Sequence, residues 1–102
     1  MLAQVIEAYL QEYPEQLSAV ERSVTMRDPV ALATSAHKLK GAIGIFDTDR
    51  AFEAAHGLEC AGSTGNLELV EETYQCLEIE VERLGDALRR LLLDGPPSSQ
   101  HV

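Results

Sequence analysis

The feature that most constrains this chain is an unbroken apolar repeat in its last third. At 1.5 Å per residue, the repeat predicts a helix of about 27 residues, near 40 Å long. Charged residues, mostly Glu and Arg, occupy many of the positions between the apolar ones, so this helix must bury its apolar face against other helices. The apolar side chains recur at steps of three and four residues: Leu67, Val70, Tyr74, Leu77, Val81, Leu84, Leu88 and Leu91.

Proline divides the beginning of the chain. Residues 2–12 carry apolar side chains at the spacing of one amphipathic helical face, and Pro14 follows them. Because proline fits best in the first turn of a helix, a second helix is expected from Pro14 to about Arg27. The sequence therefore predicts a short N-terminal helix followed by a longer one.

Aspartates mark where the next two helices begin. Asp28 can cap a helix with Pro29 at its first position, so a helix is predicted over about residues 29–45. Asp47 is expected to cap a further helix that ends near Cys60. A turn rich in Gly, Ser and Asn then separates it from the last helix.

Helices joined by short turns favour an all-α fold. The prediction is an antiparallel up-down four-helix bundle, with the short extra N-terminal helix capping one end. At 102 residues the chain fits one domain, assigned to residues 1–93. Residues 94–102 are rich in Pro and Ser and are expected to form a disordered C-terminal tail.

Composition excludes several classes of partner. The formal charge is −9, from 17 acidic and 8 basic residues, which argues against nucleic acid and against direct contact with an anionic membrane. Residues 1–7 do not have the pattern of a signal peptide, and no apolar stretch reaches transmembrane length. A cytoplasmic location is therefore expected, including the cytoplasmic end of a membrane-bound protein. Cys60 and Cys76 lack CxxC spacing and are interpreted as buried or half-buried thiols.

The helix over 29–45 carries the candidate chemistry. Its buried seam is Leu32, Ala36, Leu39, Ile43 and Phe46. His37 lies roughly 160° around the helix from Leu39, so its imidazole is expected to face solvent. Gly41 and Gly44 lie near it although glycine destabilises a helix by about 1 kcal/mol, which indicates that another large body must approach. Lys40 adds a positive charge, and the set suits a phosphoryl group.

His37 and Lys40 also have plainer interpretations. His37 could be an ordinary surface histidine, and Lys40 a charge that serves only solubility. His56 is interpreted as a surface or half-buried side chain without acid or thiol partners at ligand spacing. The sequence shows no His, Cys or acidic residues at the spacing of zinc ligands and no phosphate-binding GxxxxGK[ST] loop. It also offers no acid that would complete a triad with Ser35 and His37.

The stretch around His37 resembles the histidine-phosphotransfer (HPt) domains of multistep phosphorelays. The family motif places the phosphorylated His first, an apolar residue two later, Lys three later, and Gly four and seven later. All five match here, as His37, Leu39, Lys40, Gly41 and Gly44. The family often has a Gly-Ala or Gly-Leu dipeptide ten and eleven residues after the His, where this chain has Asp47 and Thr48. The likeness in helix pattern extends over about residues 2–93.

The resemblance implies a phosphorelay intermediate, with no catalysis of its own and no ATP site. His37 would accept a phosphoryl group at Nε2 from the phospho-aspartate of a receiver domain and pass it to another receiver. Lys40 would screen the phosphoryl charge, and the receiver would dock over Val30, Ala33, Thr34, Gly41 and Gly44. No cofactor is expected on this chain, because the receiver would hold the Mg²⁺.

The same resemblance implies a bacterial two-component system and a C-terminal module of a hybrid sensor histidine kinase, present as a monomer. Two alternatives stay open. One is a non-catalytic helical adaptor that uses the surface around His37 for binding only. The other is the phosphoacceptor domain of a chemotaxis kinase, which carries a similar motif.

Overall fold

Four helices make up the described part of the chain. The computed structural model describes residues 2–46 and 49–94, with side chains over 3–46 and 49–93. The helices are α1 (Leu2–Thr25), α2 (Pro29–Ile43), α3 (Arg50–Thr64) and α4 (Val70–Asp94), with no strand among these residues. The all-α prediction is confirmed, while the tail predicted from residue 94 lies outside the described residues beyond Asp94.

The helices pack as an antiparallel ring in which α1 contacts α2 and α4, and α3 contacts α2 and α4. The direction of α2 against α3 follows from two pairs: Gly44 meets Phe52 at one end, and Gly62 meets the backbone of Pro29 at the other. Between α1 and α4, the Tyr13 hydroxyl donates to Glu82 over 3.2 Å. The predicted up-down four-helix bundle is therefore the observed fold.

The predicted break at Pro14 is wrong, because α1 runs through it without interruption. Proline removes one backbone N–H and crowds the preceding turn, which by itself favours a helix end. Here Pro14 lies on the exposed side of α1, while Tyr9, Tyr13 and Leu17 are buried along the opposite side. Because buried residues lie both before and after Pro14 in the sequence, packing keeps the helix continuous. No separate short N-terminal helix is therefore present among the described residues.

The start of α2 follows the sequence prediction closely. Asp28 is the N-cap and accepts a hydrogen bond from the Ala31 N–H over 3.2 Å, with Pro29 in the first turn. The helix ends at Ile43, two residues earlier than predicted, and residues 44–46 form a turn. At that turn the Gly44 N–H still donates to the Lys40 carbonyl over 2.9 Å.

The last two helices start later than predicted. The predicted cap Asp47 lies outside the described residues, and α3 begins at Arg50. It ends before Gly65, whose φ of +79° is the left-handed conformation typical of a helix C-terminus. Leu67 belongs to the connection, because α4 begins only at Val70.

The core is built from the predicted seams. From α2 it takes Leu32, Ala36, Leu39 and Ile43, and α3 supplies Leu58. Burial of each large aliphatic side chain stabilises the fold by about 1.5–3 kcal/mol. No helix in the described part of the chain has both the length and the apolarity needed to cross a bilayer.

Candidate functional site

His37 projects from the outer side of α2. Its side chain is 66% exposed, whereas Leu39, two residues later, is fully buried. The buried seam of α2 thus sets the direction of the imidazole, as the residue spacing predicted. A side chain from α3 contacts the ring at one edge.

That side chain is Glu59, which joins His37 and Lys40 in one cluster. One oxygen, Oε2, lies 2.8 Å from His37 Nδ1, and the other, Oε1, lies 2.6 Å from Lys40 Nζ. Both Glu59 and Lys40 are largely buried, with 22% and 19% of their side chains exposed. Sequence analysis missed Glu59, since its distance of 22 residues from His37 carries no local signal.

The charge of Glu59 is stabilised by its partners. Hydrogen bonding to Lys40 lowers the pKa of the Glu59 carboxyl most, and hydrogen bonding to His37 adds to this, while burial acts in the opposite direction. Glu59 is therefore an ionised carboxylate at neutral pH, and it can only accept hydrogen bonds.

The carboxylate beside Nδ1 determines which nitrogen of a neutral His37 ring carries the proton. The Nδ1 atom must carry the proton and donate it to Glu59, which leaves the lone pair on Nε2. The contact with Glu59 occupies Nδ1, and the side chain as a whole is 66% exposed. The arrangement presents one defined nucleophilic nitrogen to an approaching electrophile.

Lys40 is held on the α3 side of the cluster. Its ammonium pairs with Glu59 and lies 5.8 Å from the centre of the Phe52 ring, within the range of a cation–π contact. Lys40 is thus a largely buried charge that shares a carboxylate with the imidazole.

The five residues predicted to surround His37 divide into two groups. Val30 is 76% exposed, Thr34 is exposed with its hydroxyl donating to the Val30 carbonyl, and a Cβ at Gly41 would meet nothing within 4 Å. Ala33 and Gly44 instead turn towards α3: Ala33 is half-buried, and a Cβ at Gly44 would stand 3.2 Å from the Phe52 ring. Of the two glycines, only Gly41 leaves open backbone.

A groove of about 850 Å³ between α1 and α2 borders the same surface. Thr34 and Lys38 line its α2 wall. The exposed surface around His37 therefore continues into a concave region large enough for part of another protein.

His56 and the two cysteines differ from expectation. The absence of partners predicted for His56 is wrong, because its Nε2 lies 3.5 Å from Cys60 Sγ and its Nδ1 lies 4.0 Å from Glu59 Oε1. Residues three and four apart on one helix share a face, which explains both contacts.

Cys60 and Cys76 are free but exposed instead of buried. Within residues 2–46 and 49–94, no group of three or more metal-binding side chains is suitably placed for an ion.

Comparison with known proteins identifies the family. The model of the Hpt domain family matches residues 4–87, which is most of the chain and includes the whole cluster of His37, Lys40 and Glu59. Neither the curated proteins nor the solved structures include a significant match. Since the match covers well over half of the sequence and the fold is the expected helical bundle, this chain belongs to the Hpt domain family, whose members carry phosphoryl groups on a histidine in phosphorelays.

Proposed function

We propose that His37 is the phosphoryl-accepting residue, and that it takes the group from a phospho-aspartate on one receiver domain and returns it to another. The observation that carries this proposal is the 2.8 Å contact between His37 Nδ1 and Glu59, on a ring that is 66% exposed. It supports attack by Nε2, the nitrogen that the family resemblance also implies.

The chemical step needs no proton transfer. The Nε2 lone pair attacks phosphorus in line, an N–P bond forms, and the P–O bond to the aspartate breaks with the carboxylate as leaving group. The His37 ring becomes a phosphorylated imidazolium that keeps its Nδ1 proton. Glu59 accepts a hydrogen bond from that proton before and after the step, and its negative charge stabilises the cationic ring. The reverse step returns the phosphoryl group.

Lys40 removes an electrostatic cost from this arrangement. A lone carboxylate beside the acceptor ring would repel the negatively charged phosphoryl group. With the Lys40 ammonium 2.6 Å from Glu59, the net charge of the pair is close to zero, so the approach is less unfavourable. Screening of the phosphoryl charge by Lys40 thus operates largely through Glu59.

The receiver is proposed to dock over Val30, Thr34 and Gly41, with Ala33 and Gly44 at the α3 edge of the contact. Val30 supplies exposed apolar area, and Gly41 allows close approach of the partner backbone. The Mg²⁺ that supports phosphoryl transfer would belong to the receiver. This chain then acts as a carrier, in the cytoplasm and as a monomer. Membership of a hybrid sensor kinase remains a prediction.

Transfer of label from a phosphorylated receiver tests the proposal. The domain is expected to gain phosphate that is labile in acid and stable in base, and His37→Gln should abolish this without loss of helicity. His56→Gln is the matched control, because His56 is also exposed and also adjoins Glu59. Labelled His37→Gln would refute the assignment, and binding of receiver without any label in the unaltered domain would favour the adaptor alternative.

A further inference from the structure

Gly62 is a point of close backbone contact between α3 and α2. A Cβ at this position would stand 2.5 Å from the Ala33 nitrogen and 2.6 Å from the Pro29 carbonyl oxygen. Both are backbone atoms, so no side-chain rotation could relieve the overlap. Gly62 is buried in the last turn of α3, against the α2 backbone. The absent side chain therefore sets the spacing of the two helices.

This backbone contact lies beside the phosphoryl-accepting cluster. Glu59 precedes Gly62 by one turn of α3, about 4.5 Å along the axis, and His37 follows Ala33 by one turn of α2. Because the helices are antiparallel, the two contacts are on successive turns of the same helix pair. A change in spacing at Gly62 must reach Glu59 and His37.

The far end of this helix pair is softer. At Gly44 the facing group is the ring of Phe52, a side chain that can adjust. On the other side of α3, a Cβ at Gly57 would meet only Thr73 Cγ2, at an ordinary 3.6 Å. Among these three glycines, only Gly62 meets rigid backbone at a distance that no Cβ can occupy.

We propose that Gly62 is a positioning residue, whose contact with the α2 backbone lets Glu59 reach His37 Nδ1 and so fixes the reactive tautomer. A methyl group there would force α3 away by between about 0.5 and 0.9 Å at the contact. Where that displacement reaches the cluster in full, the Nδ1–Oε2 distance grows from 2.8 Å to about 3.3–3.7 Å, beyond the usual range of an N–H···O hydrogen bond. The consequence for phosphoryl transfer rests on the function proposed above, whereas the consequence for the tautomer does not.

Nitrogen-15 NMR of the His37 ring, recorded on the full chain in mildly alkaline buffer, reads the tautomer of the neutral ring directly. The Nδ1–H form should dominate in the unaltered protein and in Gly57→Ala, the matched control on the same helix. Gly62→Ala should move the Nδ1 and Nε2 shifts towards a mixture and slow transfer from a phosphorylated receiver about tenfold. Unchanged shifts in a folded Gly62→Ala would overturn the proposal.

Two further measurements keep the outcomes separate. Circular dichroism establishes whether Gly62→Ala folds. If Gly62→Ala does not fold, Glu59→Asp tests whether the tautomer needs this spacing. That variant withdraws the carboxylate by about one methylene and leaves the α2–α3 backbone contact unchanged. Loss of the tautomer in Glu59→Asp supports the required close spacing, and retention refutes it. A tautomer change in Gly62→Ala with no phosphate uptake by the unaltered domain would sustain the positioning role while refuting the proposed function.

Discussion

The ion pair between Lys40 and Glu59 should contribute measurably to stability, unlike most pairs on a protein surface. Exposed pairs are worth about 0.2–1 kcal/mol, while breaking a fully buried pair costs about 3–5 kcal/mol. Here both side chains are about four-fifths buried, the charged atoms are 2.6 Å apart, and His37 Nδ1 hydrogen-bonds the other carboxylate oxygen of Glu59. We therefore expect a coupling energy of about 1–2 kcal/mol.

A double-mutant cycle measures it by urea unfolding at pH 7. Lys40→Met keeps the apolar stem against Phe52 and removes the charge, and Glu59→Gln keeps the size and an acceptor oxygen. Each single change should lower the unfolding free energy by about 1–2 kcal/mol, and 1 kcal/mol corresponds to roughly 4–8 °C in Tm for a domain of this size. The double variant should lose less than the sum. Strict additivity, or a coupling below about 0.3 kcal/mol, would refute the reasoning.

The sign of the pH dependence gives a second check on the same pair. The pKa of Glu59 is lowered in the folded state from its usual 4.5, so ionised Glu59 favours folding. Its contribution is fully present above pH 4.5 and is lost as the pH falls through the lowered pKa of the folded protein. The stability that depends on ionised Glu59 should therefore be present in full at pH 7 and decline in acid below about pH 4.5, and a contribution that grew over that acid range would contradict the assignment.

Three other outcomes are expected. Leu58→Ala should lower the unfolding free energy by about 2–5 kcal/mol in urea titrations, since Leu58 is fully buried between helices, and a loss below 1 kcal/mol would contradict its place in the core. Asp28→Ala should lower it by about 1 kcal/mol through loss of the α2 cap, with Asp28→Asn retaining most of the stability. Gly41→Glu should fold at least as stably as the unaltered domain, because the site is open, yet slow phosphoryl transfer at least tenfold, whereas Gly41→Ala should transfer normally. Normal transfer by Gly41→Glu would exclude close docking there.

Local pattern was enough for much of this protein. The apolar repeats predicted which faces of α2 and α4 are buried, and the Asp28–Pro29 pair predicted where α2 begins. The exposure of His37 follows from the same arithmetic, because a residue far around the helix from a buried leucine must face outward. These features depend on neighbours within a few turns, so one sequence carries them.

Other features depend on contacts between distant segments. The sequence predicted a break at Pro14, yet burial of Tyr9, Tyr13 and Leu17 along one face holds α1 continuous. Burial also decided where Gly44 faces: the sequence grouped it with Gly41 as open backbone, and the structure covers it with Phe52. At Pro14, tertiary packing outweighs a local cost of about 3 kcal/mol; at Gly44, the facing residue comes from another helix and has no local signal.

By itself, then, the sequence determined the helical class, the buried seams and the solvent-facing imidazole, because all three are periodic properties of single helices. Only the tertiary structure decided which acid meets that imidazole. The register between α2 and α3 brings Glu59 to His37 and Lys40, and that register depends on close packing such as the contact of Gly62 with the α2 backbone. A helix repeat specifies the face that must be buried, but the partner residue across the interface is set by how two surfaces interlock.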